Sequence, residues 1–91
     1  MNVLHETMNT APPLATGTIT ETMEMGKRLE VVILNAIPAS HWLGTEYECV
    51  YVGNEKVCLD FGQNWYAEKG YKFRTHQRNI DSAAEWKAKG Y

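Results

Sequence analysis

Two short segments that alternate apolar and polar residues, 45–52 and 57–61, constrain the fold of this chain more than any other feature. Alternation with a period of two is typical of β-strands that are covered on one face. Between the two segments, Gly53 and Asn54 suit a tight turn. The sequence therefore predicts a β-hairpin over residues 45–61.

Two registers are open for this hairpin, because either Gly53-Asn54 or Asn54-Glu55 can form its two-residue turn. Only the first places Cys49 opposite Cys58, where a disulfide is geometrically feasible. Both registers have the same parity, so each face carries the same residues in either case. We expect the core face to consist of Val50, Val52, Val57, Leu59 and Phe61. We expect the other face to be semi-polar and more exposed, with Tyr47, Cys49, Tyr51, Cys58 and Asp60.

A first strand is predicted before this hairpin, because residues 18–25 also alternate. The face that we expect to be buried carries Ile19, Met23 and Met25. The opposite face carries the threonines and Glu24. A tight turn at Gly26-Lys27 is expected to end this strand.

Residues 28–37 predict a central strand, because the run Val31–Leu34 is apolar on both faces. A strand of that kind is usually covered on both sides. In a chain this short, the second cover could come from the helix, from curling of the sheet or from a second subunit. This run is the one sequence feature that favours a homo-oligomer.

Three other segments predict short elements of secondary structure. Residues 38–44 begin with proline and end with glycine, which predicts a single helical turn. Residues 65–69 predict a second helical turn within a connecting segment. Residues 71–75 alternate, which indicates a short strand with Tyr71, Phe73 and Thr75 facing the core and its basic residues facing water.

The C-terminal segment predicts the clearest helix of the chain, opening at Asp81. Ser82 and Glu85 have the spacing of a capping box. Gly90 supplies a C-terminal stop. We expect Trp86 to anchor this helix to the sheet.

These elements predict an α+β fold that is mostly β, a small antiparallel sheet of about five strands with one short C-terminal helix. The sheet is expected to be open or partly curled, as in an SH3-like or OB-like barrel. Residues 1–16 lack periodicity and contain two adjacent prolines, so we expect a flexible N-terminal tail. Residues 17–91 are expected to form a single compact domain.

Composition restricts the class of protein further. Of the 91 residues, 44% are hydrophobic and 22% are charged, which is ordinary for a globular protein. The longest apolar run is far too short to span a membrane, and no secretory signal pattern is present. We therefore expect a cytoplasmic protein without a membrane partner. The net charge of −2 hides an excess of basic residues in the last third of the chain.

No pattern typical of a catalytic or metal-binding site is recognisable. Cys49 and Cys58 are separated by eight residues, which exceeds the short spacing of structural zinc knuckles. A Cys–His nucleophile pair requires a thiolate beside an imidazole. Nothing in the sequence around Cys49 or Cys58 supports such a pair with His41 or His76. Phosphate-loop, nucleophile-elbow and zinc-protease motifs are absent from the sequence. We therefore expect no catalytic residue, no metal, no cofactor and no enzymatic activity.

The aromatic content supports the leading functional hypothesis, a protein–protein interaction module that acts as an adaptor or an inhibitor of a larger protein or complex. Ten of the 91 residues are Trp, Tyr or Phe. A single small core is not expected to hold all ten. Exposed Trp and Tyr side chains are favoured anchors at protein interfaces. The contact residues that we expect are Tyr47, Tyr51 and Trp65.

The alternative hypothesis is nucleic-acid or nucleotide binding by residues 64–78. This segment interleaves aromatic side chains, on which bases can stack, with basic side chains that can bind phosphates. The candidate residues are Trp65, Tyr66, Lys72, Arg74, His76 and Arg78. The net negative charge of the chain argues against a broad phosphate-binding surface.

Overall fold

The computed structural model describes residues 13–41 and 44–90. The six strands found there are β1 (Ile19–Glu24), β2 (Lys27–His41), β3 (Gly44–Tyr51), β4 (Val57–Asp60), β5 (Trp65–Ala67) and β6 (Lys72–His76). Helix α1 (Gln77–Ala88) follows β6 directly. This composition confirms the prediction of a mostly β, α+β fold with a C-terminal helix.

The strands form two antiparallel sheets. The larger sheet has the order β1-β2-β3-β6, and β4 pairs with β5 in a separate two-stranded ribbon. Strand β2 lies between β1 and β3, so the central position predicted from its apolar run is confirmed. The larger sheet does not close into a barrel.

Strands β1 and β2 are joined by a two-residue turn formed by Met25 and Gly26, one residue earlier than the sequence suggested. Both residues have positive φ, +50° and +75°, as the type I′ turn of a tight hairpin requires. Glu24 pairs with Lys27 across this turn.

Residues that pair directly in neighbouring strands share a face of the sheet, so the register assembles an inner face. A bulge at Leu34 keeps Ile33 and Ala36 on this same side of β2. The inner face includes Thr20, Thr22, Leu29, Val31, Ile33, Ala36, Tyr47, Cys49, Tyr51, Phe73 and Thr75. Most of these side chains are buried.

The larger sheet is strongly curled around its inner face. In a flat sheet, β1 and β6 would be three strand spacings apart, roughly 14 Å. Instead the hydroxyl oxygens of Thr22 in β1 and Thr75 in β6 are 2.6 Å apart, within a hydrogen bond. The partly curled sheet expected from the sequence is therefore present, with its two edge strands facing each other.

Helix α1 and the β4–β5 ribbon complete the core on the inner side. The helix contributes Ile80 and Ala83, both buried, and the ribbon contributes Val57 and Ala67. The side chain of Trp86, the expected anchor of the helix, stays 41% exposed, so its anchoring role stays a prediction.

The predicted 45–61 hairpin is wrong in its pairing. Both strands exist, but β3 pairs with β2 and β6, whereas β4 pairs with β5. Cys49 and Cys58 consequently lie in different sheets, and both are free thiols.

The predicted faces of β1 and β3 are also wrong. In β3, Tyr47, Cys49 and Tyr51 are buried, whereas Val50 is only half-buried on the outer side. In β1, Thr22 is fully buried and Ile19 is exposed. The alternation of both strands was identified, but the assignment of the inward face was reversed.

The short helical turns expected from the sequence are strands in the structure. Residues 38–41 continue β2, and residues 65–67 form β5; Trp42 and Leu43 lie outside the described residues. Helix α1 begins at Gln77 rather than Asp81, so Ser82 and Glu85 lie inside it and do not form a capping box. Gly90 adopts the left-handed conformation just beyond the helix, as expected.

At the N-terminal end, the described chain contacts the sheet before residue 17. Leu14 packs against the core, and the Thr16 hydroxyl donates a 2.9 Å hydrogen bond to the Leu34 carbonyl. Residues 1–12 of the expected tail lie outside the described residues, so the boundary of the tail stays a prediction.

Candidate interaction surface

The tip of the β4–β5 ribbon presents two large aromatic side chains to solvent. Phe61 is 71% exposed and Trp65 is 52% exposed. The Asp60 carboxylate accepts hydrogen bonds from the backbone N–H groups of Gly62 at 2.9 Å and Gln63 at 3.3 Å. Such side-chain capping fixes a tight turn locally, so the two exposed rings are carried by a defined loop.

Trp65 continues into a row of aromatic rings. Its indole meets Tyr71 edge-on, with centroids 6.0 Å apart. Tyr71 stacks on Phe73, with centroids 5.9 Å apart. These distances are typical of favourable aromatic pairs. We call Phe61, Trp65, Tyr71 and Phe73 the aromatic ridge.

Of the three residues predicted to contact a protein partner, only Trp65 is accessible. Tyr47 is fully buried and Tyr51 is 4% exposed, so the expectation that they line the surface is wrong. Their hydroxyls make internal hydrogen bonds instead. Tyr47 donates to Gln77 Oε1 at 2.7 Å and accepts from the Leu14 N–H, and Tyr51 donates to the Glu55 carbonyl.

Phe61 is expected from the sequence to lie in the core, but it is exposed in the structure. It was assigned to the core because it continues the alternation of β4. The signal that could have placed it outside is its position beside Gly62, Gln63 and Asn64, a composition typical of a turn. Asn64 has a positive φ of +54°, which agrees with that composition.

The six candidates for nucleic-acid binding do not form one surface. Trp65 faces Tyr71, whereas its strand neighbour Tyr66 lies on the opposite side of the ribbon. There Tyr66 shares its side with Lys56, whose ammonium nitrogen is 5.2 Å from the ring centroid. The two exposed aromatic residues are therefore directed to different sides.

The basic candidates are likewise separated from the ridge. Lys72 and Arg74 are exposed on the outer face of β6, whereas Phe73 points to the inner face with Cys49. The Arg74 guanidinium approaches Glu46 at 4.0 Å. His76 ends β6, and Arg78 is exposed at the start of α1. The interleaving seen in the sequence thus becomes two opposite faces.

The buried thiol of Cys49 is a poor nucleophile. Burial, and secondarily the Glu24 carboxylate, raises its pKa to about 12, so the nucleophilic thiolate is scarcely populated at neutral pH. The thiol lies 3.5 Å from the Phe73 carbonyl oxygen, to which it donates. Among residues 13–41 and 44–90, no three His, Cys, Asp or Glu side chains are grouped as a metal ion would need.

In the described part of the chain, no helix is long and apolar enough to cross a membrane.

Comparisons with protein-family models, with curated protein sequences and with solved structures find no match to this chain. The aromatic ridge is therefore judged on its geometry alone.

Proposed function

We propose that this protein is a non-enzymatic, cytoplasmic interaction module, an adaptor or inhibitor, whose aromatic ridge binds another protein. The observation that carries the proposal is the exposure of two large aromatic side chains, Phe61 and Trp65, at the fixed tip of the ribbon. Water-exposed aromatic surface of this size is costly to leave uncovered and is released by binding an apolar partner.

The order of the tip supports the same proposal. A binding surface that is already ordered loses little conformational freedom when a partner docks. Asp60 restrains the loop from one end, and Tyr71 packs against Trp65 from the other. Trp65 is the expected hot spot, since a partly supported indole offers a large contact area with few rotatable bonds.

The test compares what the full-length protein and its ridge variants retain from native lysate. Wild type is expected to retain a stoichiometric protein partner, and the purified partner then gives a dissociation constant. Trp65→Ala is expected to weaken that binding by about 30-fold or more, since hot-spot truncations cost at least ~2 kcal/mol. Phe61→Ser is expected to weaken it by about tenfold.

Met25→Ser provides the matched control. Met25 is also an exposed apolar residue at a hairpin turn, but it lies outside the ridge. This variant is expected to retain the partner with unchanged affinity. Absence of any stoichiometric partner, or equal loss of binding in the control, would overturn the proposal.

Nucleic-acid binding is the second candidate, favoured by the exposed basic residues Lys72 and Arg74 on β6 and Arg78 in the first turn of α1. Its test is titration of fluorescent single-stranded DNA and RNA at low and high salt. This candidate requires binding that weakens steeply with salt and is lost in Arg74→Glu. If it holds while Trp65→Ala is without effect, nucleic-acid binding replaces the protein-binding proposal.

A further inference from the structure

A carboxylate lies beside the exposed indole of the aromatic ridge. Asp60 in β4 is paired directly with Trp65 in β5, and paired residues share one side of a ribbon. The hydrogen bonds from the Gly62 and Gln63 N–H groups both end on Oδ1 of Asp60. The other oxygen, Oδ2, accepts no hydrogen bond from any residue that the structure describes. One carboxylate oxygen therefore fixes the loop, and the other stays available on the indole side.

The indole and the carboxylate both attract positive charge. The face of an aromatic ring is electron-rich because its quadrupole places negative charge above and below the ring plane, and indole is the strongest such group among the side chains. Trp65 is 52% exposed, and within the described chain its ring contacts only the ring of Tyr71. The side of the ribbon that carries Trp65 and Asp60 therefore favours a cation.

The described chain does not supply that cation itself. Neither of the ion pairs found among residues 13–41 and 44–90 involves Asp60. The ammonium group of Lys69, in the turn after β5, donates to Asn54 at 3.2 Å instead. On the opposite side of the ribbon, by contrast, the Lys56 ammonium nitrogen lies 5.2 Å from the centroid of the Tyr66 ring. The ribbon thus provides one exposed ring with a cation and the other with a carboxylate.

We propose that the protein partner of the aromatic ridge places an arginine side chain against Trp65 and Asp60. This inference rests on the proposed function, since it names the group that the ridge recognises. A guanidinium is planar, so it can stack on the indole while its N–H groups donate to Oδ2 of the carboxylate. The apolar stem of the arginine adds contact area along the ridge.

The charge at Asp60 also defines what the ridge rejects. An acidic or phosphorylated segment would bring a negative group towards the Asp60 carboxylate and the electron-rich ring, and like charges placed together at an interface suppress binding. The same repulsion acts on a nucleic-acid phosphate. The ridge therefore selects a basic partner segment by charge, in addition to the apolar contact that its rings provide.

The test is an NMR titration of the isotopically labelled protein with the pentapeptide acetyl-Gly-Ala-Arg-Ala-Gly-amide. The control peptide carries citrulline, which has the shape of arginine without its charge. The arginine peptide is expected to shift the indole N–H signal of Trp65 and the backbone amides of residues 60–65. The citrulline peptide is expected to bind about fivefold or more weakly, because it lacks both the cation–π contact and the charge-assisted hydrogen bonds.

A matched pair of variants assigns the effect to one carboxylate. Asp60→Asn retains an oxygen that can accept the loop hydrogen bonds but removes the charge. This variant is expected to bind the arginine peptide as weakly as wild type binds the citrulline peptide. Glu85→Gln removes the same charge from an exposed position on α1. It is expected to bind the arginine peptide as wild type does.

Three results would overturn the inference. The first two need no variant, and they are equal binding of the two peptides and a Trp65 indole signal that the arginine peptide does not shift. The third is an equal loss of binding in Asp60→Asn and Glu85→Gln, which would show that the peptide responds to net charge alone. These results would leave the proposed function standing, because that is tested by the loss of a lysate partner in Trp65→Ala.

Discussion

At the scale of single residues, the pair Thr22 and Thr75 shows how a polar contact closes the sheet. The two hydroxyls are buried and share one hydrogen bond across the inner face. A buried hydroxyl that loses its only partner keeps the full cost of desolvation, whereas removing both hydroxyls removes that cost. The pair therefore acts as one unit.

We expect Thr22→Val and Thr75→Val each to lower the free energy of unfolding by about 1–3 kcal/mol. The double variant is expected to be more stable than the sum of the two losses implies, because no unpaired hydroxyl remains. Urea denaturation of wild type, both single variants and the double variant measures this coupling. Strictly additive losses would show that the two hydroxyls act independently.

Glu24 is a half-buried glutamate whose ionised form is disfavoured by burial. Burial raises the pKa of its carboxyl above the ordinary value of 4.5, and the Asn79 side-chain amide, 3.4 Å away, offsets part of that rise. The folded protein therefore binds the proton more tightly than the unfolded chain does. The stability that this provides is complete below pH 4.5 and is lost as the pH rises through the folded-state pKa.

We accordingly expect Glu24→Gln to be more stable than wild type at neutral pH, with the difference shrinking as the pH falls towards 4.5. Urea midpoints measured across this pH range give the comparison. Glu30→Gln, at an exposed glutamate of the neighbouring strand, serves as the control with a much smaller difference. A Glu24→Gln variant that is less stable than wild type at neutral pH would contradict this explanation.

At the scale of secondary-structure elements, the loop from β3 to β4 depends on one close approach. A side chain at Gly53 would place its Cβ 2.6 Å from carbon atoms of the Tyr51 ring. That ring is held by the hydrogen bond from its hydroxyl to the Glu55 carbonyl. The loop can therefore fold back over Tyr51 only with glycine at this position.

We expect Gly53→Ala to lower the free energy of unfolding by about 1–3 kcal/mol, as overpacking of a fixed ring does. Gly62→Ala is the matched control. A Cβ at Gly62 comes no closer than 3.4 Å to another group, so its effect is expected to stay within about 0.5 kcal/mol. Chemical denaturation of both variants provides the comparison, and equal effects would contradict it.

Sequence reasoning identified most elements correctly but not all of their faces. Alternation reveals two faces of a strand without saying which one is buried. In β3, the sequence favours the face with Val50 and Val52 as the buried one, which places Tyr47 and Tyr51 outside. They fit inside because the Gln77 side-chain amide and the Glu55 backbone carbonyl accept hydrogen bonds from their hydroxyls. The contact with Gln77 depends on the tertiary fold.

The pairing of the strands could not be predicted from local sequence signals either. Residues 45–61 contain two strands and a turn-like pair between them, which favours a hairpin. The segment 72–76 instead occupies the edge of β3, and 57–60 finds its partner in 65–67. The choice depends on which strands are available after the sheet curls, a property of the whole chain. The ridge shares this dependence, since Trp65 meets Tyr71 through that arrangement.

At the scale of the whole molecule, the aromatic ridge and the basic residues of β6 occupy different surfaces. Phe73 of the ridge lies on one side of β6, whereas Lys72 and Arg74 lie on the other, because alternate residues of a strand point in opposite directions. A partner of the ridge and a partner of the basic residues would therefore approach from opposite sides.

The central claim is that the aromatic ridge is the surface that a protein partner covers. The most direct measurement is the change in backbone amide NMR signals of the isotopically labelled protein on adding the partner retained from lysate. The expected result is a set of shifts centred on 61–65 and extending to 71–73. Shifts centred instead on Arg74, His76 and Arg78, with the amides of 61–65 unaffected, would contradict the claim.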